Sequence, residues 1–152
     1  MWFYAPWVHS ESIAVHRQVQ IWYNELRVDI EKETGTTDPY REGKDELMRD
    51  VFGFPRMYRA GPPKGKDGGL SKEDYVYWFL ALMDVHFPIV ERYGRYPYRN
   101  RGAGRESREE EKEWIVKAEG FGECDEETGR KIVEDVRKGV WTPLGEGVEG
   151  KA

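Results

Sequence analysis

Four arginines set among tyrosines are the side chains of this sequence best suited to holding a ligand. Arg95, Arg99, Arg101 and Arg105 are interleaved with Tyr93, Tyr96 and Tyr98, on a stretch punctuated by Gly94, Pro97, Gly102 and Gly104. A guanidinium is a planar fork of donors that grips a phosphate or carboxylate at two points. A loop carrying such groups on a helical scaffold is where binding residues concentrate. The same arginines have a structural use, because cations just past a helix C-terminus bond its last carbonyls and favour the negative end of its dipole. Arg99 and Asn100 are also placed to tie the loop to the next helix. Base stacking on the tyrosines is a third reading, opposed by the acidic segment that follows.

The second polar group is His9-Ser10-Glu11. A histidine beside a carboxylate suits general base work, but adjacency in sequence does not make a nucleophile pair, and no nucleophile elbow is visible. In the plainer reading Ser10 caps a helix, Glu11 favours its positive end and His9 packs. Joined to the arginine loop, His9, Ser10 and Glu11 would face Arg95, Arg99, Asn100 and Arg105 across one polar groove, the preferred location for any function. Metal and cofactor sites find no support. His9, His16 and His86 are the only histidines and Cys124 the only cysteine, with no ligand spacing among them.

Helices must position these groups. Val15, Val19, Trp22, Leu26 and Ile30 draw one apolar stripe over a helix from residue 11 to about 33, capped by Ser10 and ended by Gly35. A short helix is expected from Asp45 to about Gly53, with Leu47, Met48, Val51 and Phe52 inward. Residues 61–69, rich in Gly and Pro, read as an exposed linker. Ser71 caps the most apolar helix, which carries through Leu82, Met83, His86 and Ile89 to Tyr93 and kinks at Pro88. His86 reads as a core histidine. A capping box at Ser107 opens a further helix with Trp114 and Ile115 inward, its Glu109-Glu110-Glu111 start solvated. Asp125 caps a last helix over about residues 126–138, with Ile132, Val133 and Val136 inward, and Val140-Trp141 is expected to dock. No stretch alternates as a strand does. The fold class is therefore all-α, as one helical domain over residues 1–141 with a flexible tail over 142–152.

The chain has 152 residues, a net charge of −5, 35% charged and 14% aromatic residues. That length suits one domain, and the acidic balance argues against a general nucleic-acid binder. No apolar run reaches membrane-spanning length, and the opening residues lack the basic region of a signal peptide. The single cysteine fits a cytoplasmic setting.

Pro6-Trp7-Val8-His9-Ser10-Glu11 resembles the "P-x-x-H-S-E" stretch of an uncharacterised family catalogued as domain of unknown function 924. The residues from His86 to Glu111 resemble its "H-x-x-I-x-x-F/Y-G-R-F/Y-P-x-R-N … G-R-E-S-x-x-E-E" stretch, and the resemblance spans residues 1–115. It implies an all-helical, tetratricopeptide-like antiparallel array, with a long insert, including residues 61–65, that looks more like fungal members, and brings no activity, cofactor or partner. Tyr98 and Pro88 stand where bacterial members often have His and Asp. In typical members the aromatic segment matching residues 2–8 is internal, so this sequence looks like the C-terminal portion of the usual domain, a partial array. Uncovered Trp2, Phe3 and Trp7 would then drive self-association into a homo-oligomer. The functional expectation is a module that binds a protein partner or small anionic ligand at the His/Glu/Arg groove. The alternatives are an enzyme on an anionic small molecule with His9 as general base, and an inactive truncated fragment.

Overall fold

In a computed structural model of the chain, the described residues are 5–65 and 68–141. Trp2 and Phe3, part of the expected linker and the expected flexible tail over 142–152 lie outside them. All regular structure among the described residues is helical, with no strand. The chain divides into two compact units, residues 1–95 and 96–152. No helix among the described residues is long and apolar enough to cross a membrane.

The first unit holds α1 (Ala5–Val8), α2 (Ile13–Thr34), α3 (Lys44–Leu47), α4 (Gly53–Ala60), α5 (Lys72–Asp84) and α6 (Phe87–Tyr93). Helix α2 starts later than the sequence suggests. Its N-cap is Ser12, which makes no side-chain cap bond, while the Ser10 hydroxyl accepts from the Ser12 N–H at 3.2 Å. The His16 ring donates from Nε2 to the Ser10 carbonyl at 2.9 Å. That carbonyl is thereby held by a side chain in place of the first turn. Gly35 ends the helix in the left-handed region, φ 69°, as expected. The fully buried face of α2 is His16, Val19, Tyr23 and Arg27. Of the expected stripe only Val19 belongs to it, because His16 and Arg27 find buried partners that only the tertiary fold supplies.

The most apolar stretch forms two helices, not one kinked rod. Pro88 has no N–H to give the Asp84 carbonyl, and its ring clashes with that carbonyl. Helix α5 accordingly stops at Asp84 and α6 opens at Phe87, with Pro88 in its first turn. Across the break the His86 N–H turns to the Met83 carbonyl at 3.2 Å. The Leu82 carbonyl, left without that donor, accepts from His86 Nδ1 at 2.8 Å. Every residue from 81 to 90 is buried. Helices α2 and α4 pack on α5, and α2 also packs on α6. Where α4 starts, a Cβ on Gly53 would come within 2.9 Å of Val85 Cγ1, so a side chain there would push the break away. The helix expected from residue 45 to 53 is instead one turn, α3, followed by a turn into α4.

In the second unit two 3₁₀ turns, Pro97–Arg99 and Arg101–Ala103, precede α7 (Glu109–Lys117) and α8 (Glu126–Lys138). The N-cap of α7 is Arg108, one residue beyond the expected Ser107, and its N–H donates to Glu111 Oε2 at 2.7 Å. Glu111 is fully buried, contrary to a solvated acidic run. Asp125 caps α8 as expected, accepting from the Thr128 N–H at 2.8 Å. Helix α8 packs on the second 3₁₀ turn. Gly104, at φ 64°, has Val136 so close that a Cβ would sit 2.9 Å from its Cγ2. Trp141, expected to dock, is 81% exposed.

Burial holds the His86 imidazole down to about 3, outweighing its carbonyl bond. The folded chain thus prefers neutral His86, a contribution fully present above the ordinary histidine value and lost as pH falls from about 6.5 toward 3. His16 is lowered by burial with the same sign. Urea unfolding should lose stability as pH drops from 6.5 to 5, with a slope up to about 1.4 kcal/mol per unit from His86. His86→Asn, whose amide can still donate to the Leu82 carbonyl, should show a shallower profile; identical slopes would contradict the assignment.

Candidate functional site

The structure distributes the expected site residues between its two units. His9 follows α1, with Nδ1 2.6 Å from the Ala5 carbonyl. A carbonyl only accepts, so Nδ1 carries the proton. The His9 ring stands edge-on to His86 at 5.4 Å. Ser10 is occupied by Ser12 and His16 as described, Glu11 and Arg95 are half-buried, and Arg99 is exposed on the first 3₁₀ turn. Asn100 has no exposed surface; its Nδ2 donates to Ser107 Oγ at 3.1 Å and Glu111 Oε2 at 3.2 Å. It does tie the loop to the next helix. The Asn100 carbonyl also accepts from the Arg105 N–H at 2.8 Å, bringing these two expected residues together.

One arginine of the loop is spent on structure. Arg101 donates from Nη1 to the Cys124 carbonyl at 2.8 Å, with Glu123 3.6 Å from Nη2. Its stem crosses α8 at Gly129, where a Cβ would lie 2.3 Å from Arg101 Cγ. Arg105 lines a cleft of about 610 Å3 within the second unit. Arg101, Lys112 and Arg130 bring three more cations to that lining, against Glu123 and Glu126, over an apolar strip of Ile115, Val116 and Val133. Lys112 and Arg130 were not singled out by sequence, since helical lysines and arginines are usually plain solvated positions.

A second polar cluster, in the first unit, was also missed. The Arg27 guanidinium donates to Asp38 Oδ2 at 2.7 Å from Nε and to Asp84 Oδ2 at 2.6 Å from Nη2. All three residues are buried. Lys44 Nζ lies 3.5 Å from Asp84 Oδ2 and donates to Asn24 Oδ1 at 2.6 Å. Asp38 is fixed in turn by accepting the Tyr40 N–H at 2.8 Å on Oδ1. Burial pushes the Asp84 carboxyl above its ordinary value, with Arg27 and Lys44 pulling the other way. Burial likewise draws the Lys44 amine below its usual value. A cavity of about 120 Å3 opens on this cluster, lined by Asn24, Arg27, Val28, Asp38, Arg41 and Lys44. The one sequence signal was Asp84 itself, a carboxylate in the most apolar run of the chain.

Compared with known proteins, residues 1–119 match the model of the family described as "Bacterial protein of unknown function (DUF924)". No curated protein and no solved structure matches.

Removing Arg27 leaves two buried carboxylates without their main partner. Arg27→Met should cost about 3–5 kcal/mol in urea unfolding, and adding Asp38→Leu and Asp84→Leu should recover most of it. A neutral single variant would show the cluster to be energetically idle. Gly129→Ala should dislodge the Arg101 stem and lower stability by about 1–3 kcal/mol, the usual cost of overpacking. An unchanged melting curve for that variant would contradict the close approach.

Proposed function

The chain belongs to the DUF924 family, and we propose that it is a non-catalytic helical module that binds a small anionic ligand or an acidic partner. The carrying observation is the 610 Å3 cleft of the second unit, whose lining includes Arg105, Lys112 and Arg130 beside an apolar strip. Pockets of that size, mostly apolar with a few convergent polar groups, are the usual form of ligand sites. With Arg101 paired to Glu123 and Lys112 to Glu109, Arg105 and Arg130 are the cations that a negatively charged group joined to an apolar part would address. In this reading the helices follow a tetratricopeptide-like arrangement, a scaffold that commonly works through concave surfaces.

The enzymatic alternative draws support from one observation. The Nδ1–H of His9, bonded to the Ala5 carbonyl, fixes the tautomer in which Nε2 is the basic atom, the orientation a general base needs. The cleft is the stronger ground, because it combines volume with charge.

A thermal-shift panel of phosphorylated and carboxylated small molecules tests the binding reading. A ligand at about 100 times its Kd stabilises by about 2.7 kcal/mol, a clear rise in Tm. Arg105→Ala with Arg130→Ala should abolish that rise and leave the unliganded Tm within a few degrees. Equal shifts in both proteins would remove the cleft as the site.

A further inference from the structure

We propose that Lys44 is the nucleophile of a carbonyl-binding site in the first unit, where its amine adds to a small anionic aldehyde or oxo acid to form an imine. This site shares no residue with the cleft of the second unit and does not depend on it.

The argument begins with the valence of the amine. A neutral lysine nitrogen has two N–H groups and one lone pair. Two acceptors stand beside Nζ, namely Asn24 Oδ1 at 2.6 Å and Asp84 Oδ2 at 3.5 Å. With its hydrogens directed to them, the lone pair is left for the cavity that Lys44 lines. The side chain is 25% exposed, so it is reachable from solvent without being freely hydrated. Burial lowers its proton affinity, which increases the share of neutral amine and is how buried lysines become nucleophiles.

The surroundings suit the proposed ligand. Arg41 lines the same cavity and brings a guanidinium to a carboxylate, whereas the charge of Arg27 is already met by Asp38 and Asp84. Arg41 also pairs with Glu31 at the rim. The volume, about 120 Å3, restricts the ligand to a few heavy atoms. Asp38 and Asp84 are the carboxylates of the cluster, both engaged by Arg27. Asp84 Oδ1 is buried and accepts no hydrogen bond among the described residues, so this carboxyl has capacity to take and return a proton.

The step balances without an added reagent. Lys44 Nζ forms a C–N bond to the carbonyl carbon, whose C=O π pair becomes the hydroxyl of a carbinolamine. The two amine hydrogens then leave with that oxygen as water, with Asp84 as the relay, and C=N replaces C–O. The imine nitrogen, once protonated, retains the positive charge that faces Asp84.

The test is reductive trapping of the intact chain with glyoxylate and sodium cyanoborohydride at pH 7, followed by peptide mapping. Label should gather on Lys44 severalfold over exposed lysines such as Lys117 and Lys138, because burial enlarges the neutral share of its amine. Raising the pH to 9 should narrow the ratio of Lys44 label to exposed-lysine label, since the amine already enriched in its neutral form has less to gain. Lys44→Arg should remove the dominant site without redirecting the label. Even labelling across lysines, a spared Lys44, or an equal pH response would each overturn the proposal.

Discussion

The first unit is organised around one guanidinium that is kept from water. Arg27, on α2, reaches Asp38 in the following loop and Asp84 at the end of α5, partners 11 and 57 residues away in sequence. A buried cation is tolerated only where its donors meet carboxylates in good geometry. That requirement fixes the angular position of α2. With Arg27 turned inward, Tyr23, Val19 and His16 follow at helical spacing onto the same buried face. Trp22 and Leu26, which the apolar pattern favours, come to lie half-buried beside it. The loop after α2 is held by the same constraint, since Asp38 also accepts the Tyr40 N–H and its own N–H donates to Glu31.

The placement of Asp84 depends in turn on the ring of Pro88. Because proline cannot continue the hydrogen-bond ladder, α5 ends at the residue that carries the carboxylate. His86 then supplies the donor that the backbone withholds from Leu82, so the break sits in the core with its Leu82 carbonyl satisfied. The second unit solves a similar problem with different residues. Glu111, fully buried, accepts from the Arg108 backbone and side chain and from Asn100. These bonds fix the base of the arginine loop, which leaves Arg105 at the cleft.

Much of the local grammar was legible in the sequence. Ser71 and Asp125 cap their helices, Gly35 and Gly94 end theirs in the left-handed region, and the absence of period-two patterning announced an all-helical chain. These signals are short-ranged, so a single sequence states them. Three of the errors share a cause. The one-residue shift at Ser107, the two-residue shift at Ser10 and the one-step rotation of α2 each reflect a side-chain bond reaching six or more residues along the chain that outcompeted the capping or apolar pattern: Asn100 for the Ser107 hydroxyl, His16 for the Ser10 carbonyl, Asp38 and Asp84 for Arg27. Polar side chains buried by pairing look in sequence like ordinary surface residues. Arg27, Lys44 and Glu111 gave no sign of their position for that reason, whereas Asp84, alone among apolar neighbours, did.

The span of the family match bears on where a shared activity can reside. It ends at residue 119, two residues beyond α7. One wall of the second-unit cleft comes from Glu126, Gly129, Arg130 and Val133 on α8, past that limit. A ligand site that needs Arg130 is therefore assembled partly from residues outside the family's common region. The cluster of Arg27, Asp38, Lys44 and Asp84, with its cavity, falls wholly inside it. If members of this family hold one chemistry in common, the matched region of this chain offers it buried carboxylates, a part-shielded amine and a small open cavity in one place. The cleft is then better understood as a property of this chain, set by the helix that follows the matched region.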